Sequence, residues 1–310
     1  MEGIKQGFLP LVALLALVAG LMIGDVVEGA TVVPRNRLVR QYYKKTNSCR
    51  SAEAFVKHQV KLFWQHDKSV TPKLLRLLYS DCMVTIVLDA YCPGVVSCAD
   101  ILQLATRDAV AMAGGPSYIV LTGRKDGMSS KASSVDLPSP YISEAKARQY
   151  FEERGLDVQD LTTLLGAHSM GKARCRYVRD RLYNFQGSGR ADPIMDASKV
   201  EELRKQCPET YKPGEHEAQV FLDKESEYSF SNSYYQNILA KKAVLRIDQN
   251  FLYGNETFEL SQQFGDSANE GLEDFKKAFA FSMARLGNYK VLVGSQGEIR
   301  KNCHFTNSKY

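Results

Sequence analysis

The sequence places a histidine at the end of an apolar helical stripe. Leu161, Leu164, Leu165 and His168 follow the i, i+3, i+4, i+7 spacing that puts side chains on one helix face. A neutral imidazole directed into an apolar pocket can serve as the axial ligand of a haem iron. A histidine in this position can equally be a core residue whose ring nitrogens are hydrogen-bonded. The spacing alone leaves both interpretations open.

Another predicted helix offers two polar side chains one turn apart. It begins at Thr71-Pro72, with threonine as N-cap and proline at the first helical position, and it puts Arg76 and Ser80 on one face. An arginine can stabilise developing negative charge, but a serine hydroxyl is not a base near neutral pH unless another group activates it. Tyr79 could donate a hydrogen bond, but its ordinary pKa of about 10 makes it a poor base.

The elements that must position these residues are mainly helical. Helical periodicity covers residues 51–66, the segment from Thr71, residues 97–115 and 157–171, and a C-terminal segment through Phe275, Phe279, Met283 and Leu286. Asp100 lies three residues after Ser97, as in a variant of the capping box. Strand signals are short and lie near residues 118–122 and 290–293. The predicted fold class is mostly α.

The N-terminal residues resemble an export signal. Residues 8–24 are almost purely apolar, and the small residues Gly29 and Ala30 offer a cleavage site. We therefore predict a secretory signal peptide over residues 1–29 and one domain over residues 30–310. An uncleaved anchor helix is the alternative, because the apolar run approaches spanning length.

Charge and cysteine content narrow the class of protein. The formal net charge of +5 is dispersed without a basic block, which argues against a nucleic-acid partner. A weakly cationic surface suits an acidic polysaccharide matrix, or serves solubility alone. The seven cysteines predict disulfides in an exported protein, and their odd number leaves one without a partner. Their wide spacing argues against a zinc cluster.

Several strings follow one another in a distinctive order. They lie at residues 74–82 (LLRLLYSDC), 92–102 (CPGVVSCADIL), 122–127 (TGRKDG), 137–140 (LPSP), 164–171 (LLGAHSMG), 181–185 (RLYNF) and 297–303 (GEIRKNC). Each string is moderately specific, whereas their joint order resembles the secretory plant haem peroxidases of class III over nearly all of the mature chain. The resemblance implies a plant-type haem peroxidase fold, with haem b between distal and proximal helical halves.

The resemblance assigns roles to individual residues. His168 would be the proximal iron ligand, and Asp248 would accept a hydrogen bond from its Nδ1 and so make the ligand more basic. For Asp248 the alternative is a solvated acid at a strand end. Arg76 would stabilise the charge that develops as the O–O bond of the peroxide breaks. Pro138 would present backbone to aromatic donors.

The resemblance also implies structural pairs. Asp100 and Arg124 would form a buried salt bridge. The expected disulfides are Cys49–Cys92, Cys98–Cys303 and Cys175–Cys207. Cys82 would remain a free thiol, because the Gly-Cys-Asp-x-Ser segment that usually carries its partner is absent from this sequence.

Two features depart from the family pattern. Ser80 stands where the family has a histidine that takes a proton from hydrogen peroxide and returns it to the departing oxygen. Loss of such an acid–base group typically lowers the rate by roughly 10²–10⁴. The chain is also shortened after Thr85, where the family has some tens of further residues, including the asparagine that orients the distal histidine. The gap is either a true feature of the protein or an artefact of gene modelling.

The calcium sites that the family implies would be weakened. Asp81 and Val84 are the remnant of a distal site and cannot supply the six to eight oxygens that calcium prefers, so we expect that site to be lost. The proximal site would be formed by Ser169, Asp223, Ser226 and Ser231. Ser231 stands where the family usually has an acid.

The expected function is the one-electron oxidation of small phenolic donors by hydrogen peroxide, in the response to oxidative stress. We expect a monomeric protein that is secreted to the extracellular space or cell wall and leaves the membrane once its signal is cleaved. Acidic wall polysaccharide is a further expected partner. Ser80 and the shortened distal region predict a slow enzyme. The alternatives are a haem-binding pseudoenzyme of the cell wall and a truncated product that binds haem poorly.

Overall fold

The computed structural model describes residues 37–80, 92–129, 131, 133, 136–210, 217–268 and 270–309. The predicted signal peptide, the calcium remnants Asp81 and Val84, and Cys82 lie outside these ranges. By its internal contacts, Arg35–Tyr310 forms one compact unit. Across the described ranges no helix combines the length and apolarity needed to cross a bilayer.

Helices dominate the described part of the chain, as the sequence predicts. The α-helices are α1 Tyr42–Lys45, α2 Ala52–His66, α3 Val70–Ser80, α4 Cys98–Met112, α5 Glu144–Glu152, α6 Val158–Leu165, α7 Arg179–Tyr183, α8 Ala197–Gln206, α9 Ser233–Leu239, α10 Arg246–Gln249, α11 Asn255–Gly265 and α12 Gly271–Gly287. Tighter 3₁₀ turns cover Gly166–Ser169, Cys175–Tyr177, Phe185–Gly187, Asn250–Tyr253 and Asn307–Lys309.

The strands are two or three residues long and form antiparallel pairs. They are β1 Val39–Arg40, β2 Leu121–Thr122, β3 Arg124–Lys125, β4 Lys172–Arg174, β5 Gln219–Phe221 and β6 Leu292–Val293. β1 pairs with β2, β3 with β6 and β4 with β5. Each pair joins segments distant in sequence, so the strands fasten loops to the helical body. Two of them, β2 and β6, lie within the short strand signals of the sequence.

Helix α4 is the buried centre of the first half. Ser97 caps it by accepting a hydrogen bond from the Asp100 amide at 3.1 Å. Most of the helix is buried, and α2 and α3 pack against it. Because no face of α4 is left to solvent over its middle turns, its apolar residues do not form a single stripe.

Aromatic side chains form the core of the second half. Phe230 stacks on Phe275 with ring centroids 4.6 Å apart, and Tyr235 meets Phe275 edge to face at 5.0 Å. Phe264 and Phe279 complete this buried cluster between α9, α11 and α12. Large aromatic side chains bury much apolar surface, so this cluster is a rigid support for the elements packed on it.

The structure corrects two predicted helix caps. Thr71 is not the N-cap of α3, which already begins at Val70; its hydroxyl instead donates to the Ala109 carbonyl of α4 at 3.1 Å. Asp100 does not complete a capping box with Ser97. Its carboxylate accepts from Tyr43 and from the Arg124 guanidinium, because a buried charge must be paired.

Candidate active site

The segment that carries His168 changes helix type just before the histidine. Helix α6 begins with a capping box, in which Asp157 and Asp160 each accept a hydrogen bond from the other's backbone amide at 2.9 Å. It ends at Leu165 and continues as the 3₁₀ turn Gly166–Ser169. The predicted α-helix through residue 171 is therefore wrong after Leu165, and His168 does not share an α-helical face with the leucines.

Gly166 is the residue at which the helix type changes. A Cβ atom at this position would lie 2.5 Å from the Phe275 ring and 2.5 Å from the Tyr235 hydroxyl, too close for any other residue. The chain therefore approaches the aromatic cluster closely at this point. The tighter 3₁₀ turn that follows redirects the next side chains.

His168 is hydrogen-bonded through Nδ1 to the Asp248 carboxylate at 2.9 Å. Asp248 lies on the short helix α10 and is 2% exposed, so the alternative of a solvated strand-end acid is wrong. Since a carboxylate accepts, we assign the proton to Nδ1, which leaves Nε2 as the basic nitrogen. Burial alone would lower the pKa of His168, but the Asp248 charge and hydrogen bond more than offset it and raise the pKa.

A second donor reaches the same carboxylate. The hydroxyl of Tyr234 on α9 donates to Oδ1 of Asp248 at 3.0 Å, and burial and Asp248 together raise the pKa of Tyr234 well above its ordinary value. The tyrosine therefore keeps its proton and acts as a permanent donor. Sequence reasoning missed this residue, because nothing in a Tyr-Tyr pair on a short helix shows which acceptor each hydroxyl reaches.

The charge of Asp248 is also felt by a buried arginine. Arg181 on α7 is fully buried and pairs with Asp192 at 2.9 Å, and its guanidinium donates to the carbonyls of Ala243 and Val244. Burial lowers the pKa of Arg181, while the charges of Asp192 and Asp248 oppose this effect. Arg181, the first residue of the RLYNF string, is thus a buried cation that interacts with the charge of Asp248.

The other half of the candidate site is helix α3. Its first turn touches the His168 segment, since a Cβ on Gly171 would lie 2.7 Å from Pro72. Arg76 lies one helical turn after Pro72 and is exposed. Ser80 lies one turn after Arg76, at the end of the helix, and only its backbone is described. Burial and the neighbouring Tyr150 raise the pKa of Tyr79 above its ordinary value, so its phenol is an even poorer base than expected.

Comparison with known proteins shows which family the chain belongs to. Residues 84–267, which include His168 and Asp248, match the family described as Peroxidase. The chain is 47% identical to Probable peroxidase 61 of Arabidopsis thaliana, over 97% of each chain. It is 47% identical to Probable peroxidase 26 of Arabidopsis thaliana, over 87% of this chain and 90% of that protein. It is 35% identical to Peroxidase 57 of Arabidopsis thaliana, over 83% of this chain and 90% of that protein.

The chain belongs to the plant haem peroxidase family. Its fold is the mostly helical fold of that family, and the enzyme class is that of the peroxidases. The alignment with Probable peroxidase 61 extends over 337 positions although the chain has 310 residues, so that relative carries residues that this peroxidase lacks.

The residues around His168 fit a haem. With Nδ1 held by Asp248, no described residue hydrogen-bonds Nε2, and the His168 side chain is 33% exposed although the flanking Gly166 and Ser169 are buried. An imidazole whose Nδ1 is held by a buried carboxylate, with Nε2 left available, is the arrangement that orients a metal-ligating histidine. His168 would hold the haem of this peroxidase.

The residues expected to bind calcium at the proximal site make hydrogen bonds to one another in two sets. Ser226 donates to the backbone carbonyl of Ser169, whose own buried hydroxyl has no hydrogen-bond partner among the described residues. Buried Asp223 accepts from Ser233, which lies 2.8 Å from the Ser231 hydroxyl. One carboxylate among hydroxyl and carbonyl oxygens fits at most a weak calcium site. Across the described part of the chain, no cluster of three or more acidic, histidine or cysteine side chains is suited to a metal.

The structural pairs implied by the family are present. Asp100 and Arg124 lie 2.8 Å apart, and both side chains are buried. The disulfides are Cys49–Cys92, Cys98–Cys303 and Cys175–Cys207. Pro138 is half-buried in the loop between β3 and α5.

Proposed function

We propose that the protein is a secreted haem peroxidase that oxidises small phenolic donors slowly with hydrogen peroxide. The observation that carries this proposal is the His168–Asp248 pair, with a 2.9 Å hydrogen bond to a buried carboxylate. When bound, haem supplies the redox chemistry of the reaction. The buried carboxylate makes His168 a more basic ligand than an isolated imidazole.

The residues on α3 determine how fast we expect the reaction with peroxide to be. Arg76 offers a cation on α3, where it can stabilise the charge of the departing oxygen. Ser80, one turn later on the same helix, is not a base near neutral pH unless another group activates it. Proton transfer from peroxide would therefore be the slow step.

The first test is the ultraviolet–visible spectrum of the purified protein before and after hydrogen peroxide. We expect a haem absorption band that changes on addition of peroxide and returns when a phenolic donor is added. A His168→Ala variant should lose the spectrum of the histidine-ligated haem. If the protein takes up no haem, or the His168→Ala variant gives the same spectrum, the proposal is wrong.

The second test concerns the missing base. We expect Ser80→His to accelerate the first reaction with hydrogen peroxide, measured by stopped-flow spectroscopy, by less than the roughly 10²–10⁴ of a fully positioned acid–base group. The gain is limited because the residues that would orient a distal histidine are missing. Ser188→His, at an exposed serine, is the matched control and should leave the rate unchanged. A parent protein that already reacts as fast as Ser80→His would show that another group supplies the base.

A second function, haem binding without useful turnover, is favoured by the same serine and by the shorter chain. The experiment above distinguishes the two functions. A haem spectrum that does not respond to peroxide in the parent, but responds in Ser80→His, identifies the binding protein.

A further inference from the structure

Two donors converge on one oxygen of Asp248. His168 Nδ1 approaches Oδ1 at 2.9 Å, and the Tyr234 hydroxyl approaches the same atom at 3.0 Å. Tyr234 is 4% exposed, and its ring is held edge to face against Tyr235 at 4.8 Å and against His168 at 6.4 Å. The packing of the ring keeps the hydroxyl directed at the carboxylate.

An oxygen that accepts two hydrogen bonds binds each donor less strongly than it would bind one donor alone. Hydrogen bonds to a charged group are stronger than neutral ones, and each donor withdraws negative charge from the oxygen it reaches. The basicity of a metal-ligating imidazole rises with the strength of the hydrogen bond that its other nitrogen donates. Charge that Tyr234 takes from Oδ1 is therefore no longer available to His168. Arg181, the buried cation near this carboxylate, is common to the protein and its Tyr234 variants and does not alter the comparison.

We propose that Tyr234 is a positioning residue that limits the basicity of His168 by sharing the Asp248 oxygen with it. The proposal rests on the proposed function, because it concerns the strength of His168 as an iron ligand. In this role Tyr234 acts through Asp248, to which its hydroxyl donates, and not on the substrate or the iron directly. Its effect is to make the bound iron easier to reduce than Asp248 alone would allow.

The decisive variant is Tyr234→Phe, which removes the hydroxyl and keeps the ring. His168 then has the Asp248 oxygen to itself, so the imidazole becomes more basic. Relative to the parent protein, we expect the equilibrium to shift about tenfold from the ferrous toward the ferric form. That shift is a fall of about 59 mV in the one-electron reduction potential. The iron–histidine stretching frequency in the Raman spectrum of the ferrous protein should rise.

The neighbouring residue provides a matched control. Tyr235 is fully buried and belongs to the same helix, but its hydroxyl donates to the Thr162 carbonyl at 3.1 Å rather than to Asp248. Tyr235→Phe should therefore leave both the potential and the stretching frequency unchanged. Asp248→Asn should move both in the direction opposite to Tyr234→Phe, because the strong acceptor is lost.

The outcomes separate this inference from the proposed function. If the parent protein binds haem through His168 but Tyr234→Phe leaves the potential unchanged, the inference is wrong and the proposed function stands. A shift in the direction of Asp248→Asn also overturns it, since the hydroxyl would then only hold the carboxylate in place. If the haem is not ligated by His168, the proposed function itself fails.

Discussion

At the scale of single residues, one buried carboxylate organises the first half of the protein. Asp100 accepts hydrogen bonds from the Tyr43 hydroxyl at 2.7 Å, from the Gly123 amide at 2.6 Å and from the Arg124 side chain at 2.8 Å. These partners come from two segments of the chain, one at Tyr43 and one at Gly123 and Arg124, both far from Asp100 in sequence. Burial raises the pKa of Asp100, and the charge of Arg124 opposes that shift. Such a group stabilises the fold only while all of its partners are in place.

The first prediction is that Asp100→Asn destabilises the protein strongly. Removing one charge of a buried pair leaves the other uncompensated, which typically costs about 3–5 kcal/mol in the free energy of unfolding. Lys276→Met is the control, because its ion pair with Glu273 is on the surface and should change stability by less than about 0.5 kcal/mol. Guanidinium unfolding of both variants measures the difference, and equal effects would contradict the prediction.

At the scale of secondary-structure elements, the capped helix α6 leads directly into the 3₁₀ turn that carries His168. Asp157 caps this helix and also binds the Arg285 guanidinium at 2.6 Å. Burial opposes ionisation of Asp157, but the Asp160 amide and Arg285 outweigh it and lower its pKa. Because the folded pKa lies below the unfolded value, its contribution to stability is present above the unfolded pKa. That contribution is lost as the pH falls through the folded pKa.

The second prediction compares two replacements of this cap. Asp157→Ala removes the cap and should lower the free energy of unfolding by about 1 kcal/mol, within the usual range of 0.5–2. Asp157→Asn keeps a capping oxygen and should lose much less at neutral pH. The stability difference between the parent and Asp157→Asn should shrink below about pH 4, near the unfolded pKa of aspartate. Denaturant unfolding at several pH values measures this, and a difference that does not change with pH would refute it.

Element prediction from the sequence works where the cause is local. Apolar periodicity predicts α2, and the Ser97 cap predicts the start of α4, because both signals act within a few residues. Local periodicity did not predict the 3₁₀ turn at His168. The turn begins at Gly166, which lies close to Phe275, 109 residues further on, and a contact of that range leaves no local signal. Family resemblance named His168 and Asp248 correctly as neighbours. It did not reveal Tyr234, whose role depends on where a buried hydroxyl points.

At the scale of the whole molecule, the disulfides differ greatly in the length of chain they enclose. Cys98–Cys303 spans 205 residues and ties the start of α4 to the C-terminal segment, whereas Cys175–Cys207 spans 32 residues. Together with Cys49–Cys92 they use six of the seven cysteines. The seventh, Cys82, lies outside the described residues, and its free thiol stays a prediction.

The third prediction ranks these bridges by loop length. In the chain-entropy model, loss of Cys98–Cys303 should destabilise the protein by about 1.6 kcal/mol more than loss of Cys175–Cys207. Double Cys→Ser variants of each pair, unfolded under non-reducing conditions, give the comparison. The opposite ranking would show that strain or residual structure, and not loop entropy, controls the contributions.

The fourth prediction concerns the remaining thiol. In the unreduced protein, an alkylating reagent under denaturing conditions should label Cys82 and no other cysteine, because the other six are bonded. Peptide mapping without reduction identifies the labelled site. Cys82 found in an intramolecular bridge would mean that the distal gap has been placed wrongly in the sequence.

The His168–Asp248 hydrogen bond joins segments 80 residues apart. Closing so long a loop costs chain entropy, so we expect the pair to form after the contacts that are closer in sequence. On the ribosome, His168 emerges well before its carboxylate partner, and until Asp248 arrives it is an ordinary imidazole. Haem captured by a nascent or partly folded chain would thus be held by a weaker ligand than haem in the finished protein. On the proposed function, His168 would reach its full strength as a ligand only once α10 has docked.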